Sequence, residues 1–349
     1  MVLPASEVYV LVTSFWLVVA FLISWLLARG AIGYARRRGM LDQPGQRRSH
    51  RIPTPRGGGI GMVVALLGCL PWVLSDGPSA WPVSVTAALL IALLLVAVAG
   101  WWDDHRALPI LPRLGAQCLA VGVFSACLLV FTGNLWWLPI LLVGGVWSIN
   151  LHNFMDGIDG LLAQQAIFVG SGLALIAASI GQPALALAAA ILAASSLGFW
   201  WFNRAPARIF MGDVGSGSIG LVVFAFTAML WRVEPDVLWP ALVLSSVFVV
   251  DASCTLLARM LRGRRWYTAH REHLYQWLVR RGATHAQAGA AYLGWNLLIA
   301  APAAWLAFSH PSMALPVTIA VYLAATIVWL VLKRRCLRRH PSRESHVAA

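Results

Sequence analysis

Four short stretches hold most of the side chains that could do chemistry in an otherwise apolar chain. The first is Gly100-Trp101-Trp102-Asp103-Asp104-His105-Arg106, with two adjacent carboxylates. Such neighbours repel by roughly 4 kcal/mol at about 4 Å with an effective dielectric of about 20. The pair persists most easily facing a cation or with one member protonated, so it reads as metal-facing or proton-accepting; a solvated helix end is the plain alternative. The second stretch, Asn150-Leu151-His152-Asn153-Phe154-Met155-Asp156-Gly157-Ile158-Asp159-Gly160, sets four oxygen-bearing side chains three residues apart. Steps of three drift about 60° around a helix. Asn150 and Asn153 can share a face, whereas Asp159 requires a break, which Gly157 and Gly160 supply. Asn and Asp are hard oxygen donors suited to Mg²⁺, which keeps water and substrate phosphate in its shell.

The third stretch, Phe210-Met211-Gly212-Asp213-Val214-Gly215-Ser216-Gly217-Ser218, leads straight into an apolar run. Small residues at a helix start can offer backbone N–H groups to an anion, and one carboxylate among them suggests a metal-bridged phosphate. Close packing at a helix crossing is the alternative, and the lack of GK[ST] argues against an ordinary NTPase. The fourth is the basic loop Arg262 to Gln276, with His270, Arg271 and His273. Histidines three apart lie near one another on a short helix; with no third His or Cys nearby they read as contacts for phosphate or a nucleotide sugar and not as a zinc site, with a solvated basic loop as the alternative. A further loop, Asp42 to Gly59, carries His50 and Arg56 among prolines and glycines. It either meets an anionic lipid head or turns the chain. Asp251 lies about 12 Å beyond the nearest basic cluster, as a functional group or a hydrogen-bond partner for a neighbouring helix.

The elements that must position these residues are membrane helices. The 349 residues are 60% hydrophobic and 11% charged, against about 25% charged in a typical soluble domain. Apolar runs long enough to span a bilayer recur throughout, which excludes a soluble enzyme, a disordered chain and a peripheral protein. Eleven spans are predicted at about 8–28, 57–75, 83–102, 113–131, 136–152, 162–180, 184–202, 216–233, 238–258, 288–308 and 313–332. The first, followed by arginines, reads as a span and not as a cleaved leader. With the N-terminus outside, every Lys and Arg except Arg232 faces the cytoplasm. The net charge of +13 is therefore read as topology, with no nucleic-acid partner. The expected architecture is an all-α polytopic membrane protein of about 10–11 transmembrane helices, one domain over 1–349, with a basic tail over 333–349 and the active site on cytoplasmic loops. The five cysteines show no metal or disulfide spacing, and the paired tryptophans near span ends read as interfacial belts.

Taken together, the motifs DDxR at 103–106, NxxNxxDGxDGL at 150–161, GDxGS at 212–216 and HREHxYQ at 270–276, with SHxxPTPRGGG at 49–59, resemble the polyprenyl-phosphate N-acetylhexosamine-1-phosphate transferase family. The resemblance covers about residues 40–285, and its nearest branch is the O-antigen-initiating transferases. It implies transfer of a sugar-1-phosphate from a UDP-N-acetylhexosamine to undecaprenyl phosphate, with release of UMP, at the inner membrane. The implied cofactor is Mg²⁺, with Mn²⁺ as a substitute. Carried over by position, Asp213 and Asn153 are metal ligands, and Asp103 and Asp104 serve proton abstraction or substrate positioning. Asn150, Asp156, Asp159, Gly212, Ser216, His270, Arg271, His273, Arg56 and His50 are substrate contacts. The partners are the two substrates and membrane lipids, with a homodimer left open. The translocase subgroup has a triple-histidine run and active-site lysines, whereas this loop reads His-Arg-Glu-His and Lys333 is the one lysine. That departure argues against a muramoyl-pentapeptide substrate. The rival from another class is a transporter or flippase, which would carry substrate across without bond cleavage. A CDP-alcohol phosphotransferase would instead release CMP.

Overall fold

The computed structural model describes residues 5–43, 53–77, 79–130, 133–265 and 270–338. Each of the eleven apolar runs is helical. α1 (Ala5–Arg38), α2 (Ile60–Ser75), α3 (Val83–His105), α4 (Ile110–Val130), α5 (Leu138–Phe154), α6 (Leu161–Ser179), α7 (Pro183–Asn203) and α8 (Asp213–Val233) follow in order. α9 (Leu238–Leu244), α10 (Ser246–Leu261), the short α11 (Leu274–Arg280), α12 (His285–Trp295), α13 (Ala301–Ser309) and α14 (Pro311–Arg338) complete the chain. Among the described residues nine helical stretches are long and apolar enough to cross a membrane, or ten if the pair Pro235–Leu244 and Ser246–Leu261, bent by 73°, is one span. α2, of 16 residues, is the eleventh apolar run and is shorter than a full span. This is an all-α, multi-pass membrane protein.

Several helices outrun their predicted edges. α1 continues to Arg38 and α14 to Arg338, because arginine is a good helix former and the charged turns can leave the apolar layer without unwinding. Lys333 is consequently no tail residue. It is 6% exposed within α14, with its ammonium over the Trp329 ring and bonded to the Glu272 carbonyl.

α8 is the central helix, packed against α3, α5, α6 and α2. Its glycines permit close approach. A Cβ on Gly220 would meet the Ser148 carbonyl and the Ile149 backbone of α5, and one on Gly215 would meet Gly59. At the bend between α9 and α10 the Leu244 carbonyl accepts from Gln165 Nε2 at 3.2 Å, and Asn296 in turn donates to Gln165 at 2.7 Å. The bend is thus satisfied by neighbouring helices, as a break at membrane depth must be. The only strands among the described residues, β1 (Leu41–Asp42) and β2 (Thr54–Pro55), pair antiparallel. Beyond β2 the chain lies against the start of α8: Phe210 N–H donates to the Pro55 carbonyl, Gly58 N–H to that of Phe210 and Gly59 N–H to that of Met211, at 2.8–3.0 Å. The segment therefore braces α8.

Candidate active site

A helix begins with four N–H groups that lack intrahelical partners. In α8 those of the first three helical residues, Asp213 to Gly215, are taken. Asp213 and Val214 N–H donate to the two carboxylate oxygens of Asp104 at 3.1 and 3.2 Å, and Gly215 and Ser216 N–H donate to the Gly212 carbonyl. Asp104, 3% exposed at the end of α3, fills the place where the sequence suggested a bound phosphate. Gly212 is required here: its φ is +77°, and a Cβ would strike the Asp104 carboxylate. The anion-cradle expectation is corrected accordingly. Ser216 is also corrected as a substrate contact, since it is fully buried and its hydroxyl accepts from Asn153 Nδ2 at 3.0 Å. It orients Asn153 instead.

Asp213 projects from this capped terminus toward Arg113 on α4. Arg113 Nη1 stands 3.5 Å from Asp213 Oδ2 and 3.6 Å from Asp103 Oδ2. Asp103 also accepts the Leu108 N–H at 2.5 Å, and the side chains of Asp103 and Asn153 both adjoin the Asp213 carboxyl. Arg56 donates to the backbone carbonyl of Asp104. The sequence counted Arg113 only as a topological charge.

The second motif ends α5 and opens into a loop, as its glycines required. Asn150 spends its amide hydrogens on Gln117 Oε1 at 2.7 Å and the Val146 carbonyl at 2.8 Å. Asp159 pairs with His285 Nδ1 at 3.0 Å and accepts the Ala207 N–H at 3.1 Å. Asn203 accepts the Gly160 N–H at 3.1 Å and so fixes the start of α6. His285 and Asn203 carry no motif and were missed. The Asp156 N–H donates to the Asn153 carbonyl at 3.3 Å, and the carboxylate of Asp156 meets no hydrogen-bond or ion-pair partner among the described residues. Burial first, then the Asp213 and Asp104 charges, push its carboxyl up to about 8.

These residues border two unlike spaces. A polar cavity of about 240 Å³ is lined by Asp42, Arg56, Asp104, Asp156, Asp159, Gly212, Asp213, Gln276 and His285. An apolar groove of about 670 Å³ runs along α4 and α5 past Ile110, Leu114, Cys118, Leu142, Val143 and Val146. It includes Arg113, Asn150 and Asn153. Arg113, Asn150, Asn153 and Asp213 meet again around a small void, and Gln276 borders both larger spaces.

His270 and His273 border the groove and not the acidic cavity. Their ring centroids are 4.9 Å apart, and His273 stacks on Phe154 at 6.1 Å. Burial, then His273 and Arg259, push His270 down to about 4; burial lowers His273 as well. Both rings are neutral near pH 7. Arg271 lines a basic cavity with Arg259, Arg262, Arg280 and Glu272 and does not border the acidic cavity. His50 lies outside the described residues.

Among the described residues no three His, Cys, Asp or Glu side chains are arranged to hold a metal ion alone. The oxygen donors Asp213 and Asn153, beside an acidic cluster whose charges raise Asp156, still fit Mg²⁺. That ion takes one or two carboxylates and leaves the rest of its shell to water and substrate phosphates.

Fold and site together define a multi-pass membrane protein with an acidic cavity beside an apolar groove, the two sharing Gln276. Residues 86–231 match the family model of glycosyl transferase family 4. The chain is 31% identical over 275 residues to a phospho-N-acetylmuramoyl-pentapeptide-transferase of Deinococcus radiodurans, covering 70% of this chain and 85% of the relative. It is 26% identical over 287 residues to a probable undecaprenyl-phosphate N-acetylglucosaminyl 1-phosphate transferase of Bacillus subtilis (77% and 79% covered). It is 29% identical over 361 residues to a decaprenyl-phosphate N-acetylglucosaminephosphotransferase of Mycolicibacterium smegmatis (87% and 86% covered). The chain belongs to the polyprenyl-phosphate N-acetylhexosamine-1-phosphate transferase family.

Proposed function

We propose that the protein transfers an N-acetylhexosamine-1-phosphate from a UDP-N-acetylhexosamine to undecaprenyl phosphate at the cytoplasmic face of the inner membrane, starting a lipid-linked surface glycan of the O-antigen type. An oxygen of the lipid phosphate forms a bond to the β-phosphorus of the donor. The bond from that phosphorus to the bridging oxygen breaks, and UMP leaves with the oxygen. The observation that carries this reading is the meeting of a polar, acidic cavity with a long apolar groove at Arg113, Asn153 and Asp213. The polarity of the first suits a nucleotide sugar, that of the second a prenyl chain, and the junction the reacting phosphates.

Each residue then has a task. Asp213 and Asn153 would hold Mg²⁺, or Mn²⁺ in its place, and that ion would offset the repulsion between the phosphates and polarise the attacked phosphorus. Arg113 adds positive charge at the junction, in keeping with phosphoryl transfer being mainly positioning and charge stabilisation. Asp103, which accepts the Leu108 N–H and faces Arg113 and the Asp213 carboxyl, takes the proton of the lipid phosphate. Asp104 holds α8 in place. Arg56, Asp156 and Asp159 flank the nucleotide sugar, and His270 and His273 flank the groove. An N-acetylhexosamine without a peptide is favoured because the one lysine, Lys333, is buried against Trp329 and borders neither the cavity nor the groove.

Purified protein supplied with Mg²⁺, undecaprenyl phosphate and a panel of acetylated UDP-hexosamines should release UMP with at least one donor. Asp213→Ala should lower that release by about a hundredfold or more. No UMP from any donor overturns the proposal, and flux through proteoliposomes without cleavage replaces it with a transporter.

A further inference from the structure

Asp251, the one deep carboxylate, has no part in that chemistry, yet it is the most heavily engaged acid among the described residues. It sits in α10, 2% exposed. Its Oδ1 accepts the Leu274 N–H of α11 at 2.8 Å, Trp329 Nε1 of α14 at 3.0 Å and the Thr255 hydroxyl at 3.2 Å; its Oδ2 accepts the Tyr292 hydroxyl of α12 at 2.7 Å. One carboxylate thus ties four helices together. A buried carboxylate is costly unless hydrogen-bonded, so these donors hold it there and it holds them.

The residue after Leu274 carries the connection onward. Tyr275 is fully buried, and its hydroxyl donates to the Phe154 carbonyl at 2.9 Å. Phe154 follows Asn153 and comes two residues before Asp156 in the chain. The same hydroxyl occupies the space beside Gly157, where a Cβ would overlap it. That explains the glycine independently of any turn. Gln276, next in the chain, borders both the cavity and the groove. α11 has seven residues, too few to hold a conformation unaided, so its place depends on these contacts.

We propose that Asp251 and Tyr275 are positioning residues for the transfer reaction: Asp251 anchors α11, and Tyr275 on α11 holds the loop that carries Asn153 and Asp156. The inference rests on the functional reading above, and its test separates the two. Tyr275→Phe keeps the ring and deletes only the bond to Phe154; Asp251→Asn weakens the anchor itself. In hydrogen exchange on the detergent-purified full chain, both variants should exchange about fivefold faster than the parent across residues 150–160, with α6 and α7 unchanged. In the UMP assay the Mg²⁺ concentration for half-maximal rate should rise about fivefold, while kcat at saturating Mg²⁺ changes less than twofold. Unaltered exchange over 150–160 in Tyr275→Phe overturns the proposal. So does a fall in kcat with an unaltered Mg²⁺ requirement. If Asp251→Asn does not fold, Tyr275→Phe carries the test. If the parent protein releases no UMP, the functional reading fails while the exchange result still decides the clamp.

Discussion

Asp103 and Asp104 meet different surroundings because successive residues at a helix end point in different directions. Asp104 turns inward onto the start of α8, and Asp103 turns toward Arg113. Substituting them should therefore separate two losses. Asp104→Ala removes the cap from α8 and should lower thermal stability, at about 1 kcal/mol for a helix cap, as well as rate. Asp103→Ala should cut UMP release and leave the melting temperature unchanged; equal melting losses in both variants would refute the distinction. The histidines give a pH prediction. Because burial keeps His270 at about 4 in the folded protein, against about 6.5 unfolded, the unfolded chain binds more protons between those values. Stability should fall as pH drops from about 6.5 toward about 4, and His270→Gln should flatten that fall in melting curves. The rate profile from pH 6.5 to 8 should be the same with and without His270. Asp213, Asn153 and the acidic pair stood out in the sequence as candidates because a membrane chain carries few such groups. Arg113 and His285 did not. Each takes its meaning from a carboxylate 100 or 126 residues distant, and spacing along a chain carries no such information.

Helices were the most legible elements, since an apolar run of sufficient length in a bilayer has few alternatives to a helix. Their ends were not, because charge marks where the apolar layer stops and not where the helix does. The glycines of α8 were ambiguous from sequence, between anion binding and close packing, and the fold decides for packing. Gly215→Val should overpack the contact with Gly59 and Met211, costing about 1–3 kcal/mol. Gly68→Ala, where nothing lies within 4 Å, should be neutral or slightly stabilising by the helix propensity of alanine. Thermal melting of the two variants checks the contrast, and equal effects would count against the packing. The bend near Ser245 had no proline or glycine to announce it. Its cause is tertiary, in the Gln165 and Asn296 side chains.

At the scale of the molecule, distant segments gather at one end of a bundle, and two chambers of opposite polarity share that end. The sequence indicated the gathering through three acidic motifs at span ends and led to the expectation of grooves between spans; it did not say which helices would form one, because the wall is made of ordinary apolar residues on α4 and α5. Val146→Trp, which narrows the groove, should raise KM for the lipid acceptor several-fold while leaving KM for the UDP-sugar within twofold. Inhibition that is equal toward both substrates would show that the two chambers do not serve separate reactants. The groove wall is open in places, with Val143 71% and Ile110 48% exposed, so the proposed lipid acceptor would arrive sideways, by diffusion within a sheet. The acceptor's effective abundance is then its mole fraction among amphiphiles, not its molarity. Adding inert detergent at constant total acceptor should slow turnover by surface dilution, and the same dilution should leave saturation by the water-borne donor untouched.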